Sequence, residues 1–251
     1  MEQLRSSHAA PVMPVSDESL AQAERIIAAG GLVVIPTDTI YGIACNPFDT
    51  AAIDRLFAAK RRPRSKSLQV LLACVDGIGE LGLELPEPLD ALAASFLPGP
   101  FSPICLARPQ CRLATVRADD HTQAVRVPDS DVTRRIIAVT GPLAASSANI
   151  SGGPSCMTAQ DAYAQLGDSV DLYIDAGPTP GAVASTIVAA DPDGADGIAI
   201  LRHGVIDDSR IRAVLRGAIV DPPAPAPSTP ASATPASAPT KPHARQNGGR
   251  A

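Results

Sequence analysis

Apolar residues along the chain follow two spacings, one typical of helices and one typical of buried strands. From a cap at Ser16 or Asp17, apolar residues recur every three or four positions as far as Ile27, which predicts a helix. The glycine pair 30–31 is expected to end this helix. The apolar run 32–35 that follows is short, which is typical of a buried strand.

The same spacings recur to residue 216 and predict further helices and strands. A second helix is expected to begin at Asp49 or Thr50, with its apolar face starting at Ile53, and Pro63 ends it. Further strands are predicted at 68–73, 102–107, 123–127, 143–145, 170–175, 185–189 and 198–202. Further helices are predicted at 88–96, 131–139, 158–165 and 207–216. Strands interleaved with helices predict an α/β fold, and consecutive strands late in the chain predict a mixed sheet.

The pattern fades at both ends of the chain. Residues 220–251 are almost wholly Pro, Ala, Ser and Thr before a short polar end, so this segment is predicted to be disordered. Residues 1–15 are expected to be loose as well. The span 16–219 has no internal repeat and no second linker, which predicts one domain of roughly 200 residues burying about 70% of its extended surface.

Composition narrows the class of protein. Aromatic residues make up 3% of the chain and Trp is absent, so stacking platforms for single-stranded nucleic acid are scarce. The five cysteines are widely spaced and form no Cys-x-x-Cys pair, which favours a reducing compartment. Of the four histidines, His8 and His243 lie in the loose ends, which leaves too few for a His/Cys metal site, so none is expected. The chain has neither a signal-peptide pattern nor a membrane-length apolar run, and we therefore expect a cytoplasmic protein.

Five cations crowd into seven residues of a chain whose net charge is -5. They are Lys60, Arg61, Arg62, Arg64 and Lys66. At about 4 Å, a cation–anion pair contributes roughly 1 kcal/mol in bulk water but about 4 kcal/mol at an effective dielectric of about 20. The run is therefore either a solvated helix end or, if it lines a cleft, a site for an anion.

Other polar segments offer candidate chemistry. The segment 36–42, PTDTIYG, follows a predicted strand and presents two hydroxyls, a carboxylate and a phenol. The segment 146–155 is rich in Ser and Gly, whose backbone N–H groups can approach an anion closely. Arg126 alternates with Val125 and Val127, so it projects from the opposite strand face. Each of these three features also has a non-functional explanation. The segment 36–42 can be a polar turn, the segment 146–155 a Ser/Gly-rich loop, and Arg126 a surface residue. The G-x-G-x-x-G match at 77–82 opens no long helix and is predicted to be a loop.

Seven segments in this order resemble the YrdC/Sua5 family of L-threonylcarbamoyladenylate synthases, from about Leu20 to Ile206. These segments are the strand with PTDTIYG, Lys60-x-Arg62-Pro63, Leu97-Pro-Gly-Pro100, Thr122-x-x-x-Arg126-x-Pro128, Ser147-Ala-Asn149-x-Ser-Gly with Ser155, Asp175-x-Gly-Pro-Thr-Pro-Gly181 with Ser185-Thr186, and Leu201-Arg202-x-Gly204. Longer members carry a second C-terminal domain, so this chain resembles the short form with a low-complexity extension.

The resemblance implies a twisted mixed α/β sheet with flanking helices and a concave, basic cleft. It implies that L-threonine, bicarbonate or CO2 and ATP give threonylcarbamoyl-AMP and pyrophosphate, with Mg2+ accompanying ATP. Partner proteins then transfer the threonylcarbamoyl group to ANN-decoding tRNAs, and direct contact with tRNA is left open. No enzyme nucleophile or general base is needed, because fixed cations and Mg2+ stabilise the charge on the phosphates.

The resemblance also assigns residues to two halves of the cleft. On the ATP side it implies Lys60, Arg62, Lys66, Thr122, Ser147, Asn149, Ser155 and Arg202, with Lys60 and Arg62 as the catalytic cations. On the threonine side it implies Thr39, Arg126 and Ser185, with Arg126 pairing with the carboxylate of the amino acid. Thr37 and Tyr41 are expected to line the same wall.

Two other functions remain open from the sequence. One is a non-catalytic RNA-binding module that uses the cations for phosphate backbones, although the acidic overall charge and scarce aromatic residues disfavour it. The other is a related adenylating enzyme that takes a different amino acid or carbamoyl substrate. Pyrophosphate release that depends on threonine separates the first from the synthase, and serine in place of threonine in the same assay tests the second.

Overall fold

The structure is a computed structural model that describes residues 9–218 of the 251-residue chain. One twisted sheet of eleven strands forms its centre. The strands are β1 Val12–Pro14, β2 Val33–Ile35, β3 Gly42–Cys45, β4 Gln69–Leu71, β5 Leu83–Glu84, β6 Phe101–Ala107, β7 Thr122–Arg126, β8 Leu143–Ser147, β9 Leu172–Asp175, β10 Thr186–Ala190 and β11 Ile198–Arg202. The helices are α1 Asp17–Ala28, α2 Thr50–Ala59, α3 Gly77–Glu80, α4 Leu89–Phe96, α5 Asp131–Thr140, α6 Ala159–Leu166 and α7 Asp208–Leu215.

The strand order is β1-β9-β2-β3-β8-β4-β7-β6-β10-β11, and β5 pairs with β6. The sheet contains parallel pairs (β1 with β9, β2 with β9, β4 with β7, β6 with β10) as well as antiparallel ones, so the predicted mixed sheet is confirmed. Every predicted helix and strand is present, and the ends differ from the prediction by at most two residues, except that α2 ends at Ala59, ahead of the predicted stop at Pro63. Ser16 caps α1 as predicted, and its hydroxyl accepts a hydrogen bond from the backbone N–H of Ser19.

Helices cover the two faces of the sheet unequally. Around β2, β3 and β9, α1 and α5 pack on one face while α2 and α6 pack on the other. Beyond β4, buried residues of β4 to β7, including Val70, Cys105 and Val125, face the core on one side. The alternate residues of the same strands face outward into an open concavity. The fold therefore leaves one half of one sheet face free for a ligand.

Three regions differ from the sequence prediction. Residues 12–14 are not loose: they form the edge strand β1, which pairs in parallel with β9. Residues 77–80, predicted as loop, form the short helix α3, and the strands β3 and β5 were not predicted. Pro11 lies just before β1 and Pro14 is its last residue, and all of these elements are too short to show a periodicity. The predicted disordered tail, 220–251, lies outside the described residues.

Within residues 9–218, none of the helices is long and apolar enough to cross a membrane.

Candidate active site

The concavity on the open half of the sheet is a cleft with a volume of about 1010 Å³. Its floor consists of every second residue of the central strands, including Ala145 and Ser147 of β8, Gln69 and Leu71 of β4, and Thr122, Ala124 and Arg126 of β7. This alternation follows from the pleat, because successive side chains of a strand point to opposite faces. Loops that follow β2, α2 and β8 form the walls.

Positive side chains outnumber negative ones around the cleft. The cations are Arg62, Lys66, Arg117, Arg126 and Arg202, and the carboxylates are Glu87 and Asp120. Burial of its guanidinium and the charges of Arg126 and Arg62 lower the pKa of Arg202. Like charges gathered in one cavity repel each other in the empty protein, and a bound anion relieves that repulsion. The wall is therefore suited to a ligand with several negative charges.

Arg126 forms one end of the cleft and is held on three sides. Its Nε donates to the carbonyl oxygen of Gly99 at 3.1 Å, and its Nη1 donates to Oγ1 of Thr39 at 2.8 Å. Its Nη2 donates to Oδ1 of Asp38 at 2.6 Å. Burial lowers the pKa of Arg126, and the charge of Asp38 opposes that shift. Arginine has five N–H donors, so two remain for a ligand.

A second set of hydrogen bonds links Arg202 to the same end of the cleft. The Nε of Arg202 donates to the carbonyl oxygen of Ser185 at 2.9 Å, and its Nη2 donates to the hydroxyl of Ser185 at 2.9 Å. The hydroxyls of Ser185 and Ser102 lie 2.8 Å apart, and Ser102 donates to Oε1 of Gln69 at 3.1 Å. The predicted residues Thr39, Arg126 and Ser185 thus meet in one part of the cleft. Gln69 and Ser102, which the sequence analysis did not identify, support them.

The end of α2 places Arg62 on the wall. Lys60 is the C-cap of this helix, and Arg61 then takes a left-handed conformation with φ of 49°. The backbone N–H of Arg62 returns to the carbonyl oxygen of Phe57 at 2.9 Å, so the chain reverses at the helix end. The Nη2 of Arg62 donates to the carbonyl oxygen of Ser67 at 2.8 Å. Its Nε is buried and has no partner among the described residues, which leaves a donor beside the cleft.

Lys60 does not lie where the sequence prediction placed it. Its side chain is 1% exposed, and its Nζ donates to the carbonyl oxygens of Ser147 and Asn149. The backbone N–H of Ser151 donates to the Lys60 carbonyl oxygen at 2.8 Å. Burial, followed by the charges of Arg62 and Lys66, lowers the pKa of Lys60 to about 8. Lys60 therefore supports the loop after β8 from behind instead of lining the cleft.

Asn149 also lies behind the wall. Its Nδ2 donates to the carbonyl oxygens of Ile150 at 2.8 Å and Gly153 at 2.9 Å, so its amide closes the 149–153 loop. The other predicted residues of the ATP side line the cleft, namely Arg62, Lys66, Thr122, Ser147, Ser155 and Arg202. The hydroxyl of Thr122 donates to Oδ1 of Asp120 at 2.6 Å. A ligand that accepts a hydrogen bond from the Thr122 hydroxyl therefore has to compete with the Asp120 carboxylate.

Thr37 and Tyr41 lie on the wall as predicted. The hydroxyl of Tyr41 points away from the cleft: it donates to the carbonyl oxygen of Gly177 at 2.7 Å and accepts from the backbone N–H of Ala176 at 3.1 Å. Burial raises the pKa of Tyr41 to about 12. Tyr41 therefore anchors the loop after β9.

Replacing Tyr41 with Phe is expected to lower the free energy of unfolding by about 1–3 kcal/mol, because two backbone groups lose their buried partner. Urea denaturation measures this change. The matched control is Tyr163→Phe, whose hydroxyl lies 3.4 Å from Asp168 at an exposed position. We expect it to change stability by less than about 0.5 kcal/mol. Equal changes in the two variants contradict the anchoring role.

The sheet and its cleft, with guanidinium groups on more than one wall, define an α/β protein whose cleft is suited to a small polyanionic ligand. A family model named for Sua5, YciO and YrdC, and described as "Telomere recombination", matches residues 25–204. The chain belongs to the Sua5/YciO/YrdC family.

Known relatives agree with this assignment. A Mycobacterium tuberculosis protein, provisionally named threonylcarbamoyl-AMP synthase, is 39% identical over 197 residues, which are 78% of this chain and 88% of that protein. The Bacillus subtilis threonylcarbamoyl-AMP synthase is 33% identical over 83% of this chain, and the match spans 60% of that enzyme. The crystal structure of Pyrococcus abyssi Sua5 complexed with L-threonine superposes with a TM-score of 0.75 and 30% identity, over 87% of this chain and 67% of that one.

Proposed function

We propose that this protein is an L-threonylcarbamoyl-AMP synthase, which converts L-threonine, bicarbonate or CO2 and ATP to threonylcarbamoyl-AMP and pyrophosphate. The observation that carries the proposal is Arg126, a buried arginine at the cleft with three N–H donors bound to protein and two left over. The hydroxyls of its neighbours Thr39 and Ser185 can form hydrogen bonds with the other polar groups of a bound amino acid. The cations Arg62, Lys66 and Arg202 line the cleft and can bind a triphosphate. The names of the relatives support the same reaction.

To catalyse this reaction, the protein has to position the substrates and stabilise the negative charge on the phosphates. The threonine nitrogen bonds to the carbon of CO2 and loses a proton, which gives a carbamate. A carbamate oxygen then bonds to the α-phosphorus of ATP, and the bond from that phosphorus to the bridging oxygen breaks to release pyrophosphate. Negative charge increases on the departing group, where Arg62, Lys66 and Arg202 can stabilise it. These roles assign Arg62 as the catalytic cation, and Lys60 as the support of the loop after β8.

We propose that Mg2+ enters with the phosphates of ATP and neutralises part of their charge. Among the described residues, no group of three or more His, Cys, Asp or Glu could hold a metal ion. We therefore assign no protein ligand to it. All five cysteines are free thiols, which fits a reducing compartment such as the cytoplasm. Proteins that transfer the threonylcarbamoyl group to tRNA are the proposed recipients of the product.

We expect the purified protein to release pyrophosphate from ATP only when both threonine and bicarbonate are present. A coupled phosphate assay measures the rate, and mass spectrometry identifies threonylcarbamoyl-AMP. Release that does not depend on threonine contradicts the synthase proposal, and its complete absence favours the RNA-binding alternative. Serine in place of threonine tests the substrate: a rate at least equal to that with threonine assigns the enzyme to a different amino acid.

A further inference from the structure

Asp38 is the one charged residue among the three that hold Arg126 by hydrogen bonds, and it lies on the far side of the cleft wall. We propose that Asp38 is a positioning residue, which fixes the Arg126 guanidinium so that its two remaining N–H groups face the amino-acid substrate. The inference rests on the proposed function and concerns the carboxylate of the PTDTIYG segment, to which the family resemblance assigned no role. It predicts that Asp38 controls affinity for threonine and leaves affinity for ATP largely unchanged.

The contact is a buried ion pair between residues 88 positions apart. Asp38 lies in the loop after β2, and Arg126 is the last residue of β7. Their side chains are 11% and 3% exposed. A buried charge without its partner is strongly destabilising, so each of these residues requires the other. The pair is therefore a fixed part of the wall, unlike the exposed ion pairs elsewhere on this protein.

The geometry of the pair leaves the arginine able to bind a second carboxylate. Asp38 uses only Oδ1 and takes one N–H of Nη2, while Thr39 takes one N–H of Nη1 and Gly99 takes Nε. One N–H therefore remains on each terminal nitrogen. Two such donors match the two oxygens of a carboxylate. A two-pronged contact from Asp38 would instead have consumed one of them.

Asp38 itself is not placed to touch the substrate. It is not one of the described residues that line the cleft, and its Oδ2 is buried without a hydrogen-bond partner in the described part of the chain. Its charge faces Arg126, and Arg126 and Thr39 face the cleft. Any influence of Asp38 on threonine therefore passes through Arg126. A positioning role therefore differs from direct binding in that it requires Arg126, and a double-mutant cycle of Asp38 with Arg126 can test it.

The first test replaces Asp38 and measures both substrates in the pyrophosphate assay. Asp38→Ala is expected to raise the KM for threonine about tenfold to hundredfold, which corresponds to losing a hydrogen bond to a charged group. Asp38→Asn keeps an oxygen acceptor but loses the charge, and we expect an increase of about three- to tenfold. The KM for ATP is expected to change by less than about threefold in both variants. An unchanged threonine KM in Asp38→Asn, or an equal change for ATP, overturns the proposal.

The second test is a double-mutant cycle with Arg126→Met. In that background, Asp38→Ala is expected to change the threonine KM by less than about threefold, because the group through which it acts is gone. The double variant also removes both members of the ion pair, so it avoids leaving one buried charge alone. Equal effects of Asp38→Ala with and without Arg126 overturn the proposal. A wild-type enzyme without threonine-dependent release instead contradicts the proposed function.

Discussion

Replacing Lys60 with Met is expected to lower kcat/KM for ATP by at least about a hundredfold and the free energy of unfolding by about 2–5 kcal/mol. The carbonyl oxygens of Ser147 and Asn149 both lose the ammonium that they share, and each buried unpaired acceptor costs about 1–3 kcal/mol. Methionine fills a similar volume, so the loss comes mainly from these contacts. Ser147 lines the cleft, and its displacement therefore disturbs the ATP side. Urea denaturation and steady-state pyrophosphate release measure the two effects.

The matched control is Arg61→Met, which removes the adjacent, exposed cation. It is expected to change activity by less than about twofold and stability by less than about 0.5 kcal/mol. A Lys60→Met variant that keeps wild-type stability but needs more ATP supports direct phosphate contact, as the sequence predicted, and contradicts the supporting role.

The stability difference also depends on pH. The folded-state pKa of Lys60 is about 8, against an ordinary value of 10.5, so the folded protein releases this proton before the unfolded chain does. Between these two values the unfolded state binds more protons, and the contribution of Lys60 to stability increases as the pH rises. The stability advantage of the wild type over Lys60→Met is therefore expected to grow from about pH 8 towards pH 10.5. Parallel stability curves contradict this.

Lys60 and Arg62 show what a charge pattern can and cannot predict. Both belong to one cation run, and the sequence alone gives them the same role. Their side chains separate because Arg61 takes a left-handed conformation at the end of α2, after which the chain reverses direction. The direction of a side chain depends on this single backbone angle, and nothing in the residue types of the run specifies it. The family resemblance identifies the positions but not which side of the wall each faces.

Periodicity predicted the parts of the site that belong to regular strands. The alternation of Val125, Arg126 and Val127 placed the arginine opposite the two valines, and both valines are buried in the core while Arg126 lines the cleft. The strand β3, Gly42–Cys45, was missed because it is buried on both faces and so has no alternation. The pairing of Asp38 with Arg126, which lies 88 positions away, has no signal in a single sequence. Chain topology alone brings that loop to the end of β7.

Replacing Arg126 with Ala is expected to raise the KM for threonine by about a hundredfold to a thousandfold, because the two charge-assisted hydrogen bonds that we propose to the carboxylate are lost. Asp38 is then left as an unpaired buried charge, so the free energy of unfolding is expected to fall by about 3–5 kcal/mol. Arg126→Lys keeps the charge but cannot reproduce the planar fork, and we expect an intermediate KM with smaller destabilisation.

The matched variant Arg62→Ala is expected to raise the KM for ATP instead. Steady-state kinetics with each substrate varied in turn separates the two halves, and equal effects of Arg126→Ala on threonine and ATP contradict the division of the cleft.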